Sequence, residues 1–181
     1  HPEAGDSRRQ HQADRIGVAA PGNVRRAASS KTDWETPPAL FDLLDSEFRF
    51  TLDAAANDAN HKCTRYLTEE EDALEADVFD EVVFCNPPYG TGLDEWVRAF
   101  GRWALNGCHV VALLPANTDT RWFADVFRNA DEIRFLHKRV QFVGGGNSNT
   151  GGSVIAVYRP RPLMRDRIHS GPAAGLWDWR A

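Results

Sequence analysis

The sequence lacks several features that identify common classes of protein. No apolar run approaches the ~18 residues that a membrane-spanning helix needs, and the first residues contain no apolar segment typical of a secretory signal. We therefore expect a cytoplasmic chain with no membrane anchor. A length of 181 residues predicts one domain, and a hydrophobic content of 42% is enough for a core.

Cysteine is also scarce, with three residues in all: Cys63, Cys85 and Cys108. No two of them have the C-x2-C spacing of a structural zinc site, although His61 lies close to Cys63 and His109 follows Cys108. An odd number of cysteines in such a chain predicts reduced, buried thiols and no metal site.

Basic residues are fewer than acidic ones, 21 against 26, and they are unevenly distributed. Residues 1–31 and residues 159–181 each carry a net charge of +3, whereas residues 32–158 carry −11. An acidic body binds nucleic-acid phosphates poorly. A nucleic-acid partner would have to be held by local basic clusters and by the two basic ends; alternatively, these ends are merely solvated.

Three segments differ in character. Residues 1–31 lack apolar periodicity and are rich in Gln, Arg, Ala, Gly and Ser, which predicts a flexible basic arm. Residues 32–160 have the patterns of a folded domain. Residues 161–181 contain prolines and two late tryptophans, and we expect a loose tail there.

Strands alternate with helices along the folded segment. Thr36 is the predicted N-cap of a first helix that has Pro37 in its first position. Two more helices are predicted around 93–104 and 122–130, the last capped by Thr118 or Asp119. The predicted strands are 50–52, 82–85, 109–114, 132–136, 139–143 and 153–158, with no clear element over 54–80 and a long loop over 144–152.

The central strands are apolar on both faces, which is typical of a mostly parallel sheet flanked by helices in an α/β fold. Such sheets bind ligands at the carboxyl ends of their strands. Asp53, Asn86 and residues 115–117 each follow a predicted strand. The sequence therefore predicts a site at this edge.

The sharpest motif is Asn86-Pro87-Pro88-Tyr89, directly after an apolar strand. Each proline has a fixed φ and no N–H, and each forces the residue before it into an extended conformation. The Asn86 side-chain oxygen and the Pro87 carbonyl can then face one ligand group together, beside the ring of Tyr89.

A planar –NH2 group on a π-system fits two acceptors and an aromatic plane. Its lone pair is delocalised, and two acceptors that grip its hydrogens would push that lone pair outward and stabilise the positive charge that grows during attack. Alternatively, the motif is only a rigid proline turn after a strand, although the surrounding α/β pattern favours the first interpretation.

An ordered set of motifs makes residues 33–158 resemble the phage and bacterial DNA N6-adenine methyltransferases of the Dam type. In chain order these motifs are W-E-T-P-P at 34–38, F-T-L-D-A-A-A at 50–56, N-H-K-C-T-R-Y at 60–66, V-F-C-N-P-P-Y-G at 83–90, L-L-P-A at 113–116, T-D-T at 118–120, W-F at 122–123 and R-V-Q-F at 139–142.

The resemblance implies a Rossmann-like fold that uses S-adenosylmethionine as methyl donor, with an abbreviated second-strand region. It implies that DNA is the partner and that Asn86, Pro87, Pro88 and Tyr89 grip and stack the target adenine. Because the atoms of a base inside a duplex are unreachable, the base would be flipped into this pocket, with Phe142 on its other side. We favour a monomer.

The resemblance also implies a cofactor site. Thr36, Pro37 and Asp53 match residues at the methionine end of the cofactor, and Asp72 matches the acid that accepts from its adenine. Ala54 and Ala55 stand where the family usually has glycines, which allow closer approach. The assignment of the ribose-binding residue stays open among three candidates: Asp58, Asn60 and Glu69.

No large segment is left for a separate target-recognition domain, so we expect short or relaxed sequence specificity. The candidate DNA contacts are Arg121, Lys138, Arg139, Asn147 and Asn149, together with the basic ends. The alternative for the loop over 144–152 is a flexible connection with no contact to DNA.

Two other functions compete with adenine methylation. Glutamine methyltransferases that act on peptide release factors share the N-P-P-Y motif, because a glutamine side chain also presents a planar amide –NH2. The acidic body and the alanines after Asp53 are instead compatible with a nucleic-acid-binding protein without catalysis.

Overall fold

The computed structural model describes residues 34–144, 151–161 and 171–180, and in these ranges the chain forms one sheet of seven strands with three α-helices. In chain order the elements are α1 Pro38–Phe48, β1 Leu52–Asp53, β2 Arg65–Tyr66, β3 Val82–Cys85, α2 Leu93–Leu105, β4 His109–Pro115, α3 Arg121–Asn129, β5 Glu132–Leu136, β6 Ser153–Tyr158 and β7 Ala173–Trp177.

The strands lie in the order β2-β1-β3-β4-β6-β5-β7. In the described sheet, β6 pairs antiparallel with both β4 and β5, and the other four pairings are parallel. The predicted α/β class is confirmed, and the sheet is mixed because β6 runs against the other six strands.

Helices pack on both faces of the sheet, as expected. Leu40, Phe41 and Leu44 of α1 pack on the face that carries Phe84 and Val111. The other face carries Val83 and Val110 and packs against α2 and α3, which contribute Val97, Phe100, Trp103, Phe123 and Val126. Alternate residues of β3 and β4 thus enter different cores, which explains why these strands are apolar throughout.

The predicted helix starts need correction. Helix α1 begins at Pro38, with Pro37 at the N-cap in an extended conformation and no side-chain cap. Thr36 is therefore not the cap, because Pro38 keeps the residue before it out of the helical region. At α3 the cap is Thr120, whose Oγ1 accepts a hydrogen bond from the Phe123 N–H at 3.3 Å, and neither Thr118 nor Asp119 has this position.

The predicted strand over 139–143 is wrong. The chain turns at Lys138, which has a φ of 66°, and only Val143 pairs, in an isolated antiparallel bridge with Glu35. Their backbone N–H groups donate to each other's carbonyls at 2.9 and 3.0 Å. This bridge ties the segment before α1 to the segment after β5.

The end of the described chain is not the loose tail that we expected. Residues 173–177 form β7, which pairs parallel with β5, and the Trp179 side chain is buried against the core under α1. Residues 162–170 and the predicted arm over 1–31 lie outside the described residues, and the predicted domain boundaries stay predictions.

Cys63, Cys85 and Cys108 are free and buried, which confirms the prediction of structural thiols. Burial raises the pKa of the Cys63 thiol to about 12 and that of Cys108 to about 11, so both are neutral at physiological pH. Within the described ranges, no helix has the length and apolar character to cross a bilayer.

Candidate active site

A cleft lies at the carboxyl ends of β1 and β3, where the sequence predicted a site. The polar strand ends Asp53 and Asn86 both line it, whereas residues 115–117 at the end of β4 do not. The complete lining is Trp34, Glu35, Thr36, Asp53, Ala55, Asn60, Lys62, Phe84 and Asn86.

The side-chain amide of Asn86 has one fixed and one open end. Its Nδ2 donates a hydrogen bond to the Trp34 carbonyl at 2.9 Å. Its Oδ1 is buried and has no hydrogen-bond partner among the described residues. A buried polar atom without a partner costs roughly 1–3 kcal/mol, so this oxygen is an acceptor that is free to take a hydrogen bond from a group in the cleft.

The rest of the N-P-P-Y motif forms a rigid corner beside Asn86. Pro87 is buried, Pro88 is exposed and Tyr89 is partly buried. The Tyr89 hydroxyl donates a long hydrogen bond of 3.4 Å to the Leu113 carbonyl. Burial raises the pKa of the Tyr89 phenol well above its ordinary value, so the side chain stays neutral and can offer only its ring and its hydroxyl.

Three aromatic rings meet next to this corner. The rings of Trp34 and Phe142 are stacked, with centroids 5.4 Å apart and an interplanar angle of 23°. Tyr89 stands edge-on to both, at 73° to Trp34 and 89° to Phe142. Phe142 therefore lies near the corner, but it is only 6% exposed and does not line the cleft, and its predicted contact with the base stays a prediction.

The charged side chains that line the cleft are Glu35, Asp53 and Lys62. The Lys62 ammonium lies 2.5 Å from a carboxylate oxygen of Glu35. Asp53 is 3% exposed and accepts hydrogen bonds from the backbone N–H groups of Lys62 at 3.0 Å and Ala55 at 3.4 Å. Burial raises the Asp53 pKa, although these bonds and the Lys62 charge oppose the shift.

The other predicted cofactor residues divide between cleft and core. Thr36 lines the cleft, is 2% exposed and has an Oγ1 without a partner among the described residues. Ala55 lines the cleft, whereas Ala54 is buried in the core and donates its N–H to the Phe84 carbonyl. Pro37, the N-cap of α1, is partly buried and does not line the cleft.

Asp72 is not brought to the cleft. It is exposed, has a φ of 44°, and its carboxylate accepts the Leu74 N–H at 3.2 Å within its own turn. Of the three candidates for the ribose contact, only Asn60 lines the cleft, since Asp58 and Glu69 are exposed outside it.

The predicted DNA contacts remain predictions. Arg121 is exposed at the first position of α3, and Lys138 and Arg139 are exposed in the turn that follows β5. Asn147 and Asn149 lie outside the described residues.

Sequence reasoning missed three residues of the cleft as functional candidates, namely Trp34, Glu35 and Lys62. All three lie within motifs that carried the resemblance, W-E-T-P-P and N-H-K-C-T-R-Y, so the signal was present. This signal did not identify them, because Glu35 and Lys62 are 27 residues apart in the chain and no local pattern predicts that they form an ion pair.

A second groove runs along β5 and β7, and its charged side chains are less available to a ligand than those of the cleft. It is lined by Glu132, Ile133 and Arg134 of β5 and by residues 173–177 of β7. Its guanidinium, on Arg134, is already held by Glu47 and Glu132. In the part of the chain that the structure describes, no group of three His, Cys, Asp or Glu side chains is arranged to bind a metal.

Comparisons with known proteins identify the family of this chain. The family described as DNA N-6-adenine-methyltransferase (Dam) matches residues 24–169. A DNA N-6-adenine-methyltransferase of Haemophilus phage HP1 is 32% identical over 139 residues, which cover 75% of this chain and 79% of that protein. Another from Escherichia phage T1 is 27% identical over 148 residues, covering 70% of this chain and 62% of that protein. This chain therefore belongs to the DNA N-6-adenine-methyltransferase (Dam) family.

Proposed function

We propose that this chain transfers a methyl group from S-adenosylmethionine to the N6 amine of adenine in DNA. The observation that carries the proposal is the open, buried Oδ1 of Asn86 at the edge of a cleft that also holds Asp53 and Lys62. Family membership supports the reaction type.

The charges of the cleft fit the methionine end of S-adenosylmethionine. That ligand carries an ammonium, a sulfonium and a carboxylate, and the cleft presents two carboxylates, Glu35 and Asp53, with one ammonium on Lys62. Asp53 would hold the ligand ammonium, Lys62 the ligand carboxylate, and the open Thr36 Oγ1 would supply a further hydrogen bond. When bound, the cofactor supplies an electrophilic methyl carbon.

Asn86 and its neighbours would act on the adenine amine. The Asn86 Oδ1, whose amide is fixed through Trp34, accepts one N6 hydrogen, and the Pro87 carbonyl accepts the other. Two fixed acceptors stabilise the positive charge that develops on nitrogen during attack, so no base is needed beforehand. The bond between N6 and the methyl carbon would form as the bond from that carbon to sulfur breaks, with S-adenosylhomocysteine as the leaving group, and the methylated nitrogen would then release one proton to water. Tyr89, neutral because burial raises its pKa, contributes the plane on which the base lies.

The substrate must leave the DNA helix before it can reach this corner. A flipped adenine loses its stacking and pairing, and the aromatic rings around Asn86 offer a replacement. Exposed Arg121, Lys138 and Arg139 would contact phosphates, with Asn147 and Asn149 as further candidates. Since the body of the chain is acidic, these local cations and the two basic ends would supply the attraction for DNA.

The fold proposed for this reaction is the Rossmann-like fold of S-adenosylmethionine-dependent methyltransferases. Two features support it: six of the seven described strands run in one direction, and the cleft lies at the carboxyl ends of two of them. This is the edge at which open α/β sheets bind their ligands.

Methylation of unmethylated plasmid DNA in vitro, followed by mass spectrometry of the nucleosides, tests the proposal. We expect N6-methyladenine with the wild-type chain and none with Asn86→Ala. A parallel reaction with a peptide release factor tests the glutamine alternative, and methyl transfer to that protein alone would refute our proposal. Calorimetry with S-adenosylmethionine tests the non-catalytic alternative, which predicts no binding.

A further inference from the structure

We propose that Trp34 forms the second aromatic wall of the pocket for the target base, and that Phe142 supports it from behind. The inference rests on the proposed function and adds to it a substrate-contacting residue outside the N-P-P-Y motif. Its starting point is that Trp34 lines the cleft together with Asn86, whereas Phe142 does not; Tyr89 also lies outside the cleft lining but belongs to the N-P-P-Y corner itself.

The position of Phe142 leaves it little surface for a ligand. It is 6% exposed and packs in the core under α1. The Trp34 ring lies almost parallel to it, 5.4 Å away between centroids, and is itself only partly buried. A base that enters beside Asn86 therefore meets the indole first.

The angle between the rings fits one base orientation. Trp34 and Tyr89 are 6.1 Å apart between centroids, with their planes at 73°. A base lying flat on Tyr89 would have its plane nearly perpendicular to the indole. Edge-to-face contact of this kind is one of the two favoured arrangements of aromatic rings. The two residues would thus restrain different directions of movement of the same base.

Trp34 also positions the acceptor. Its carbonyl receives the Nδ2–H of Asn86 at 2.9 Å, which fixes the amide so that Oδ1 is the open end. The carbonyl is held in place because the next residue, Glu35, makes both backbone hydrogen bonds of the bridge with Val143. Trp34 therefore orients the Asn86 amide through its carbonyl and forms one wall of the proposed base pocket with its ring.

The test compares Trp34→Phe, Trp34→Leu and Phe142→Leu, with Trp96→Leu as the matched control. Trp96 is a partly buried tryptophan on α2 that packs in the core on the opposite face of the sheet. For each variant we would measure kcat and KM with plasmid DNA, the Kd for S-adenosylmethionine by calorimetry, and the melting temperature. Leucine keeps each position apolar although it is smaller than either aromatic ring, so the melting temperature shows whether the variant is folded, and the calorimetric Kd reports the state of the cleft independently of activity.

We expect Trp34→Leu to lower kcat/KM for DNA by about ten- to hundredfold, the range for loss of one base–aromatic contact. Trp34→Phe should recover most of this loss, and Phe142→Leu should lose less than Trp34→Leu. Because Trp34 also lines the cleft that would hold the cofactor, kcat/KM for DNA would be measured at saturating S-adenosylmethionine, and the calorimetric Kd separates loss of cofactor binding from loss of base binding. If Trp34→Leu keeps the kcat/KM of the Trp96→Leu control, or if Phe142→Leu loses more than Trp34→Leu, the inference is wrong. Absence of adenine methylation by the wild-type chain would instead refute the proposed function.

Discussion

Asp53 stands directly opposite Phe84 in the parallel pairing of β1 with β3, and Asn86 follows Phe84 by two residues on the neighbouring strand. The Asp53 carboxylate, which would bind the cofactor, and the Asn86 amide, which would bind the substrate, are therefore offset by only two residues along the strand direction. Each residue of a strand adds ~3.3 Å to its length. Residues two apart on a strand also project to the same face. The register of two short strands thus brings the two halves of the proposed reaction together.

Asn86→Ala should abolish turnover and leave cofactor binding nearly unchanged. The variant lacks the Oδ1 acceptor, and removal of one fixed dipole that stabilises transition-state charge typically costs ~100- to 1,000-fold in kcat. The rate of N6-methyladenine formation and the calorimetric Kd for S-adenosylmethionine would be measured together.

Asn129→Ala is the matched control for this change. The Asn129 amide also donates its Nδ2–H to a backbone carbonyl, that of Asp125 at 2.8 Å, but it lies at the end of α3 and does not line the cleft. We expect its kcat to equal that of the wild type. Near-normal methylation by Asn86→Ala would overturn the role given to this amide.

Lys62→Met should weaken the binding of S-adenosylmethionine by roughly ten- to hundredfold, because a hydrogen bond to a charged group contributes about 1.5–3 kcal/mol. The variant also leaves Glu35 without its ion-pair partner. The double variant Lys62→Met, Glu35→Gln separates this effect from loss of the ligand contact. Arg98→Met, which breaks an exposed ion pair with Asp94 on α2, is the control and should bind normally; equal Kd values for Lys62→Met and Arg98→Met would exclude our assignment.

As the pH is lowered, cofactor binding should begin to weaken at a higher pH than it would if Asp53 had the pKa of an ordinary aspartate. Burial raises the pKa of Asp53 in the free protein, and protonation removes the charge that attracts the ligand ammonium. Below that pKa, the Kd should rise by up to about tenfold per pH unit. Calorimetry across the acidic range measures this, and Asp53→Asn should bind weakly with a flatter profile.

The same shift has a consequence for stability. Because the folded protein binds the Asp53 proton more tightly than the unfolded chain does, ionisation of Asp53 lowers the free energy of unfolding as the pH rises through the raised pKa. The melting temperature of the wild type should therefore fall, relative to that of Asp53→Asn, as the pH rises from the ordinary aspartate pKa through the raised value, because the amide does not titrate. A difference in melting temperature between the two proteins that does not change with pH would contradict the prediction.

Arg134→Met should lower the free energy of unfolding by about 1–3 kcal/mol near neutral pH, since the guanidinium makes charge-assisted bonds on two sides. Its two terminal nitrogens each donate to Glu47 of α1 at 2.6 Å, and its Nε donates to Glu132 at 2.7 Å. Hydrogen bonding to Arg134 is the main cause that lowers the Glu47 pKa. The Glu47–Arg134 interaction should thus make its full contribution to the free energy of unfolding above the ordinary glutamate pKa. This contribution should disappear as the pH falls through the lowered pKa of Glu47.

Chemical denaturation of Arg134→Met and the wild type at neutral and acidic pH measures this difference. Arg128→Met removes a surface pair with Asp125, and we expect it to change stability by less than about 0.5 kcal/mol. A pH-independent difference between Arg134→Met and the wild type would mean that packing, not the ion pair, stabilises this region.

The sequence predicted the elements whose pattern is local. Residues 82–85, 132–136 and 153–158 are strands with the predicted bounds because each is a continuous apolar or alternating run. Strand β7 could not be predicted, since A-A-G-L-W has weak strand propensity and becomes a strand only by pairing with β5. Residues 139–143 have the alternation of a strand, but both edges of β5 are already occupied by β6 and β7.

The residues of the candidate site also divide into those that a local sequence pattern predicts and those that depend on contacts between distant segments. Asn86 and Asp53 were predictable because each follows an apolar strand and the carboxyl ends of parallel strands share an edge. The role of Lys62 was not, because its ion pair with Glu35 joins segments that no local pattern connects. The orientation of the Asn86 amide likewise depends on a carbonyl 52 residues earlier in the chain, that of Trp34.

The short bridge between Glu35 and Val143 connects the two ligand sites mechanically. Glu35 belongs to the charged wall through Lys62, Trp34 precedes it on the aromatic side, and Phe142 precedes Val143 on the opposite strand of the bridge. If cofactor binding stabilises this bridge and thereby raises the affinity for DNA, thermodynamic linkage requires DNA to raise the affinity for the cofactor by the same factor.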